Sequence, residues 1–175
     1  LYNLGKLTLN LNRRKQAIKY FERLYQIDRK FIDTLLVLSK IYLNLGNFEE
    51  AKKYLIINSD IFPLHTPADY SLSNLIDYSK DNSHQTKLIK KMNSPEFEKM
   101  IKFPLYFALA KSYEDQKNYN EFSKYINLAN YEKNITVKKN LVEIEENRIK
   151  NIKLIFKDHN FANEIKEKYN KKKLI

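Results

Sequence analysis

The sequence contains no cysteine and no tryptophan, and only two glycines and four prolines among 175 residues. Without cysteine there is no disulfide, no thiol nucleophile and no cysteine metal site, which fits a reducing compartment and makes the cytoplasm the expected location. Gly5 and Gly46 are too few to build a phosphate-cradling loop. Scarce glycine and proline also argue against a hairpin-rich β protein, whose turns consume both. No run of about 18 apolar residues occurs, so no membrane-spanning helix is expected. A signal-peptide pattern is absent as well, but the chain starts without Met inside an apparent helix, Leu1-Tyr2-Asn3-Leu4-Gly5. The natural N-terminus is therefore expected upstream.

What is present is a composition of 43% apolar and 30% charged residues, which fits one globular unit and long helices. The net charge of +11 raises three anionic partners: nucleic acid, an anionic membrane or an acidic protein. Lysine far outnumbers arginine, the basic residues run along the whole chain, and Asn and Ile are abundant, as in the products of AT-rich genomes. A dedicated nucleic-acid surface favours clustered Arg, so solvated helix faces are the expected origin of the charge and nucleic acid is disfavoured as a partner.

Leu9-Asn10-Leu11-Asn12, followed by Ala17 and Phe21, recurs as Leu43-Asn44-Leu45-Gly46, followed by Ala51 and Leu55. From Ala17 to Ala51 is 34 residues, the period of the tetratricopeptide unit. A first copy supplies Leu1, Leu4-Gly5, Thr8, Ala17 and Phe21, and a second supplies Leu35, Leu38-Ser39, Tyr42, Ala51, Leu55 and Pro63. A third supplies Tyr106, Leu109-Ala110, Tyr113, Phe122 and Ile126. The small residues at 5, 39 and 110 belong where the two helices of a unit cross, since a larger side chain would separate the backbones. Ala17 and Ala51 do the same on the second helix, whereas Phe122 predicts a wider crossing or a shifted register in the third pair.

The expected fold is all-α: an α-solenoid of antiparallel helix pairs, a right-handed superhelix of tetratricopeptide type, closed by a long C-terminal capping helix. Repeats fill residues 1–134, with pairs near 1–28, 32–62, 68–93 and 104–132. Asn12, Gly46 and Lys117-Asn118 mark turns within pairs. The third copy begins three residues later than two full periods allow, so an irregular pair is expected between, with helices over Ala68–Tyr78 and Gln85–Met92. Ser94-Pro95-Glu96 predicts an N-cap followed by Pro at the first helical position, and Pro104 opens or kinks the next helix. After Asn134 a new amphipathic helix carries Val137, Leu141, Ile144, Ile152, Ile155 and Phe156 on one face, with a short closing helix at Phe161 and Ile165. These capping and linker helices are expected over 135–170, and 171–175 is expected to begin a downstream domain in a longer chain. Uncapped ends predict fraying or self-association.

Leu105-Tyr106-Phe107-Ala108-Leu109-Ala110-Lys111-Ser112-Tyr113-Glu114-Asp115, with Asn118-Tyr119 and Tyr125-Ile126-Asn127-Leu128-Ala129-Asn130, resembles the last repeat of bacterial tetratricopeptide-repeat sulfotransferases. Ile152-Lys153-Leu154-Ile155-Phe156 and Lys173-Leu174-Ile175 are similar to the family's linker and to the start of its following strand. The resemblance covers most of residues 100–175. It implies a repeat region preceding a sulfotransferase domain, whose Gly-rich donor loop has no counterpart in this chain. No catalytic residue carries over, and no cofactor is expected.

The three histidines, at 65, 84 and 159, share no ligand spacing, so no metal site is expected. Glu143, Glu145 and Glu146 lie among Lys139 and Lys150 and predict an ion-paired helix surface rather than paired catalytic acids. Tyr20, Tyr42, Tyr113 and Tyr125 fall on repeat core positions. One arrangement points to binding. Lys6, Lys40 and Lys111 recur at an outward position on the first helix of their pairs, with Tyr2, Leu36 and Phe107 one turn before them. Asn10 and Asn44 extend that face. Cations, amides and apolar contact together suit an acidic or carboxylate-bearing peptide or protein.

Overall fold

A computed structural model describes residues 1–155, and among the described residues there is no strand. The first of two compact units spans Leu1–Glu132. It contains α1 (Tyr2–Asn10), α2 (Arg14–Ile27), α3 (Ile32–Asn44), α4 (Phe48–Ile61), α5 (Pro67–Ser73), α6 (Ser83–Met92) and α7 (Lys102–Asp115). A 3₁₀ turn over Pro95–Lys99 precedes α7. The last helix, α8 (Tyr119–Ile155), begins in this unit and continues into the second, which starts at Lys133. The expectation of an all-helical solenoid holds.

Three turns show why the pairs form. Asn12, Gly46 and Lys117 have φ of 57°, 72° and 59°, so each helix ends on a left-handed residue. In each case the next N–H reaches back five residues: Arg13 to the Thr8 carbonyl at 2.8 Å, Asn47 to Tyr42 at 2.9 Å and Asn118 to Tyr113 at 2.9 Å. This is the closure of a helix C-terminus on its own last carbonyls, repeated at equivalent positions of three copies. Asn47 then caps α4, its side-chain oxygen accepting from the Glu50 N–H at 3.3 Å. Lysine carries a Cβ penalty in this conformation that glycine escapes. Lys117→Gly is therefore expected to stabilise the protein by up to about 1 kcal/mol, read as a raised midpoint in thermal unfolding.

The crossings use the small residues as anticipated. Ser39, Ala51 and Ala17 are fully buried, and Ala110 is nearly so. A Cβ built on Gly5 would lie 2.7 Å from Cζ of Phe21, so the ring of α2 occupies the space that glycine leaves. Tyr42 stacks on Tyr54 with centroids 5.6 Å apart, and Tyr113 stacks on Tyr125 at 5.5 Å. Both residues of the second stack lie 71 positions after their counterparts, so the register of the third pair is unchanged. Phe122 does not shift it, because the ring stays half-buried at the margin of the cluster around Leu105 and Leu109.

Each helix from α1 to α4 packs on its successor, whereas α5 and α6 both pack on α7. The helix expected over Ala68–Tyr78 stops at Ser73. Ser73 Oγ and Asn74 Nδ2 both donate to the Tyr70 carbonyl, at 2.7 and 2.9 Å, and divert the backbone from the next turn. Asp77 and Asp81 side chains then accept from the N–H groups of Ser79 and Ser83 in tight turns. Ser94 does not cap: its hydroxyl donates to the Lys91 carbonyl at 2.8 Å, and Pro95 starts a 3₁₀ turn instead. Pro104 sits in the first turn of α7, where its missing donor costs no helical bond.

No break occurs near residue 134, since α8 is continuous through it. Within residues 133–155 the apolar row Val137, Leu141, Ile144 and Ile152 is exposed, by 46, 60, 62 and 45%. The expectations for Phe156, for the closing helix at Phe161 and Ile165, and for 171–175 lie outside the described residues.

Candidate functional site

Helices α1 and α3 bring together five of the eight residues singled out by spacing. A groove of about 400 Å³ is lined by Tyr2, Lys6, Asn10, Lys40 and Asn44, joined by Leu9, Asn12, Arg14, Val37 and Ile41. The reason is periodic: residues 2, 6 and 10 fall four apart on α1, as do 40 and 44 on α3, and side chains at that spacing share a helix face. Lys6, Lys40, Asn10 and Asn44 are exposed, while Tyr2 is half-buried and holds edge-on contacts with Phe21 and Phe31. Lys6 Nζ stands 5.6 Å from the Tyr2 ring centroid, within cation–π range. Chemically the groove has an apolar floor, amide donors and acceptors, three cationic groups and no acidic residue in its lining.

The other three residues lie elsewhere. Leu36 packs toward the cluster of Leu55, Ala68 and Leu72. Phe107 leans on Tyr70 with centroids 5.5 Å apart. Lys111 is ion-paired with Asp115 one turn along α7. The irregular pair therefore separates the third copy's residues from those of the first two.

Periodicity gave no sign of a buried polar network between α4, α5 and α6. Asp69, fully buried, accepts from Ser59 Oγ at 2.6 Å and from Lys91 Nζ at 3.0 and 2.8 Å. Lys91 also donates to Ser59 Oγ at 2.9 Å. His84 Nε2 lies 3.5 Å from Asp69 Oδ1, an electrostatic contact too long for a good hydrogen bond, and its Nδ1 is 2.6 Å from the Tyr78 hydroxyl. Burial pushes the Asp69 carboxyl up, but the His84 ring, the Lys91 ammonium and the Ser59 hydroxyl outweigh it and hold its pKa below the usual carboxylate range. Burial raises the Tyr78 phenol, helped by the charges of Asp69, Asp115 and Asp81. Tyr42 is pushed up to about 12 by burial and by the Glu22 carboxylate that accepts its proton at 3.1 Å. These groups hold helices together; their partners are internal.

The remaining histidine within the described residues, His65, meets the Asn58 side chain at 3.1 Å. No group of three or more potential metal ligands occurs among the described residues. No described helix is long and apolar enough to cross a membrane.

Residues 10–56 and residues 103–134 each match the tetratricopeptide repeat. The chain carries tetratricopeptide repeats at these two stretches: α2, α3 and most of α4 lie inside the first match, with α1 ahead of it, and α7 with the start of α8 lies inside the second. The unmatched stretch between them holds α5, α6 and the buried network. No curated protein matches the chain. Repeats of this kind are generally non-catalytic and mediate protein–protein binding.

Proposed function

We propose that this chain is a peptide-binding scaffold whose ligand lies in the α1/α3 groove and presents an acidic or carboxylate group to Lys6, Lys40 and Arg14. The observation that carries this is the lining itself, which combines three cations and three amides with an apolar floor and no acid. Such a surface favours negative charge before contact and fixes it by charge-assisted hydrogen bonds afterwards. Lys111 is not part of the site, because Asp115 already neutralises it.

A titration of fluorescently labelled Glu-rich peptide tests this. The double reversal Lys6→Glu with Lys40→Glu should weaken binding at least about tenfold, the effect of roughly 1.4 kcal/mol. Lys111→Glu should leave it unchanged. The double reversal should not move the melting temperature much, since Lys6 and Lys40 are exposed and exposed charges contribute little to folding. Equal binding by parent and double variant would remove the groove from consideration.

On the resemblance of residues 100–175 alone, we place this scaffold ahead of a sulfotransferase domain in a longer chain, with residues 1–175 supplying binding rather than turnover. Sulfate transfer by residues 1–175 by themselves would contradict that placement.

A further inference from the structure

The charge is not spread evenly, contrary to what the sequence-wide abundance of lysine implies. Residues 1–30 hold eight cationic and two acidic residues, a net of +6 out of the whole chain's +11, and four of the five arginines. Besides Arg14 of the groove, four of these cations, Arg13, Lys15, Lys19 and Arg23, stand exposed at the start of α2 and along it. Among the described residues none of their side chains is in an ion pair, whereas Lys53, Lys124 and Arg148 all find a carboxylate on their own helix. The single acid of α2, Glu22, is turned away to accept hydrogen bonds from the hydroxyls of Tyr42 at 3.1 Å and Tyr54 at 3.3 Å.

We propose that this outer face of α2 binds single-stranded nucleic acid, independently of the α1/α3 groove. Lys15, Lys19 and Arg23 recur every fourth residue, so they form one row with steps of roughly 6 Å along the helix. Such a row can follow successive phosphates of an extended strand. Beside it a hollow of about 430 Å³ is lined by Lys15, Gln16, Lys19 and Tyr20, with Gln16 Nε2 donating to the Tyr20 hydroxyl at 3.3 Å. A half-buried tyrosine next to a cationic track is the combination that stacks a base while the backbone is neutralised. An anionic membrane fits less well, because the apolar face of α2, Ala17 and Phe21, is already used in the core and leaves no anchor beside the row.

The test is fluorescence anisotropy of a short labelled thymidine oligonucleotide with residues 1–175. Three neutralised phosphates predict that affinity falls about 20-fold between about 50 and about 200 mM salt. Lys15→Glu with Lys19→Glu and Arg23→Glu should abolish binding. The charge-matched reversal Lys138→Glu with Lys139→Glu and Lys150→Glu, at exposed positions of α8, should retain it. Tyr20→Ala should weaken it about fivefold or more, and Lys40→Glu should leave it intact while weakening peptide binding in the groove. Equal losses from both triple variants, with folding verified by circular dichroism, would reduce the effect to net charge and overturn the proposal. Equal displacement of the oligonucleotide by phosphatidylserine vesicles or by polyglutamate would overturn it too.

Discussion

Leu38→Asp should destabilise the protein by several kcal/mol and leave it largely unfolded at physiological temperature. Leu38 is fully buried on α3, in the cluster with Ala17, Phe21, Leu35, Ile41 and Tyr54 where the first two pairs meet. Removing the leucine side chain alone costs about 2–5 kcal/mol in such a site. A carboxylate placed there adds the penalty of an unpaired buried charge, or must be protonated to avoid it. Against a total stability of about 5–15 kcal/mol, the sum is close to the whole. Circular dichroism melts of the parent, Leu38→Ala and Leu38→Asp should therefore form a descending series. A Leu38→Asp protein that melts within a degree of the parent would mean that α3 does not sit in the core.

Asp69→Ala is the second large effect, expected at about 3–5 kcal/mol, because it strands Lys91 without its partner in a site where only 12% of that side chain is exposed. Adding Lys91→Met should recover at least half of the loss, since an apolar residue of similar volume suits a buried site once the carboxylate is gone. The same pair gives a pH signature. The folded-state pKa of Asp69 is depressed, so its contribution is complete above about pH 4, the ordinary carboxylate range, and is lost as the pH falls through the lower folded value. Chemical unfolding followed from neutral to acid pH should show the parent losing stability below that point, with a shallower decline in Asp69→Ala. An equal decline in both would assign the acid sensitivity to other carboxylates.

The repeat was legible because two turns carry the residues their backbone demands: Asn12 and Gly46 both tolerate positive φ and stand 34 residues apart. Lys117 occupies the same conformation without a residue type that announces it. The length of α5 was hidden, because its end depends on Ser73 and Asn74 competing for the Tyr70 carbonyl and on Tyr78 reaching His84 and, through its N–H, Asp115. Helical periodicity reports apolar faces, not such competition. At the groove, equal spacing grouped Lys6 and Lys40, which line one hollow, with Lys111, which lies elsewhere and whose Asp115 partner was visible at i+4. The insertion of α5 and α6 breaks the equivalence between copies that the spacing assumed. Asp69 and Ser59 lie on separate helices, and no local pattern links them. The α2 row was readable at four-residue steps, but the abundance of lysine elsewhere concealed that Glu22 is withdrawn from it.

The most direct test of groove binding is amide chemical-shift mapping of isotopically labelled residues 1–175 titrated with a Glu-rich peptide. Shifts should concentrate on α1 and α3, at Lys6, Asn10, Val37, Lys40 and Asn44, with α7 residues around Lys111 unmoved. Shifts confined to the Lys15–Arg23 row of α2 or to α4–α6, with α1 and α3 silent, would contradict it.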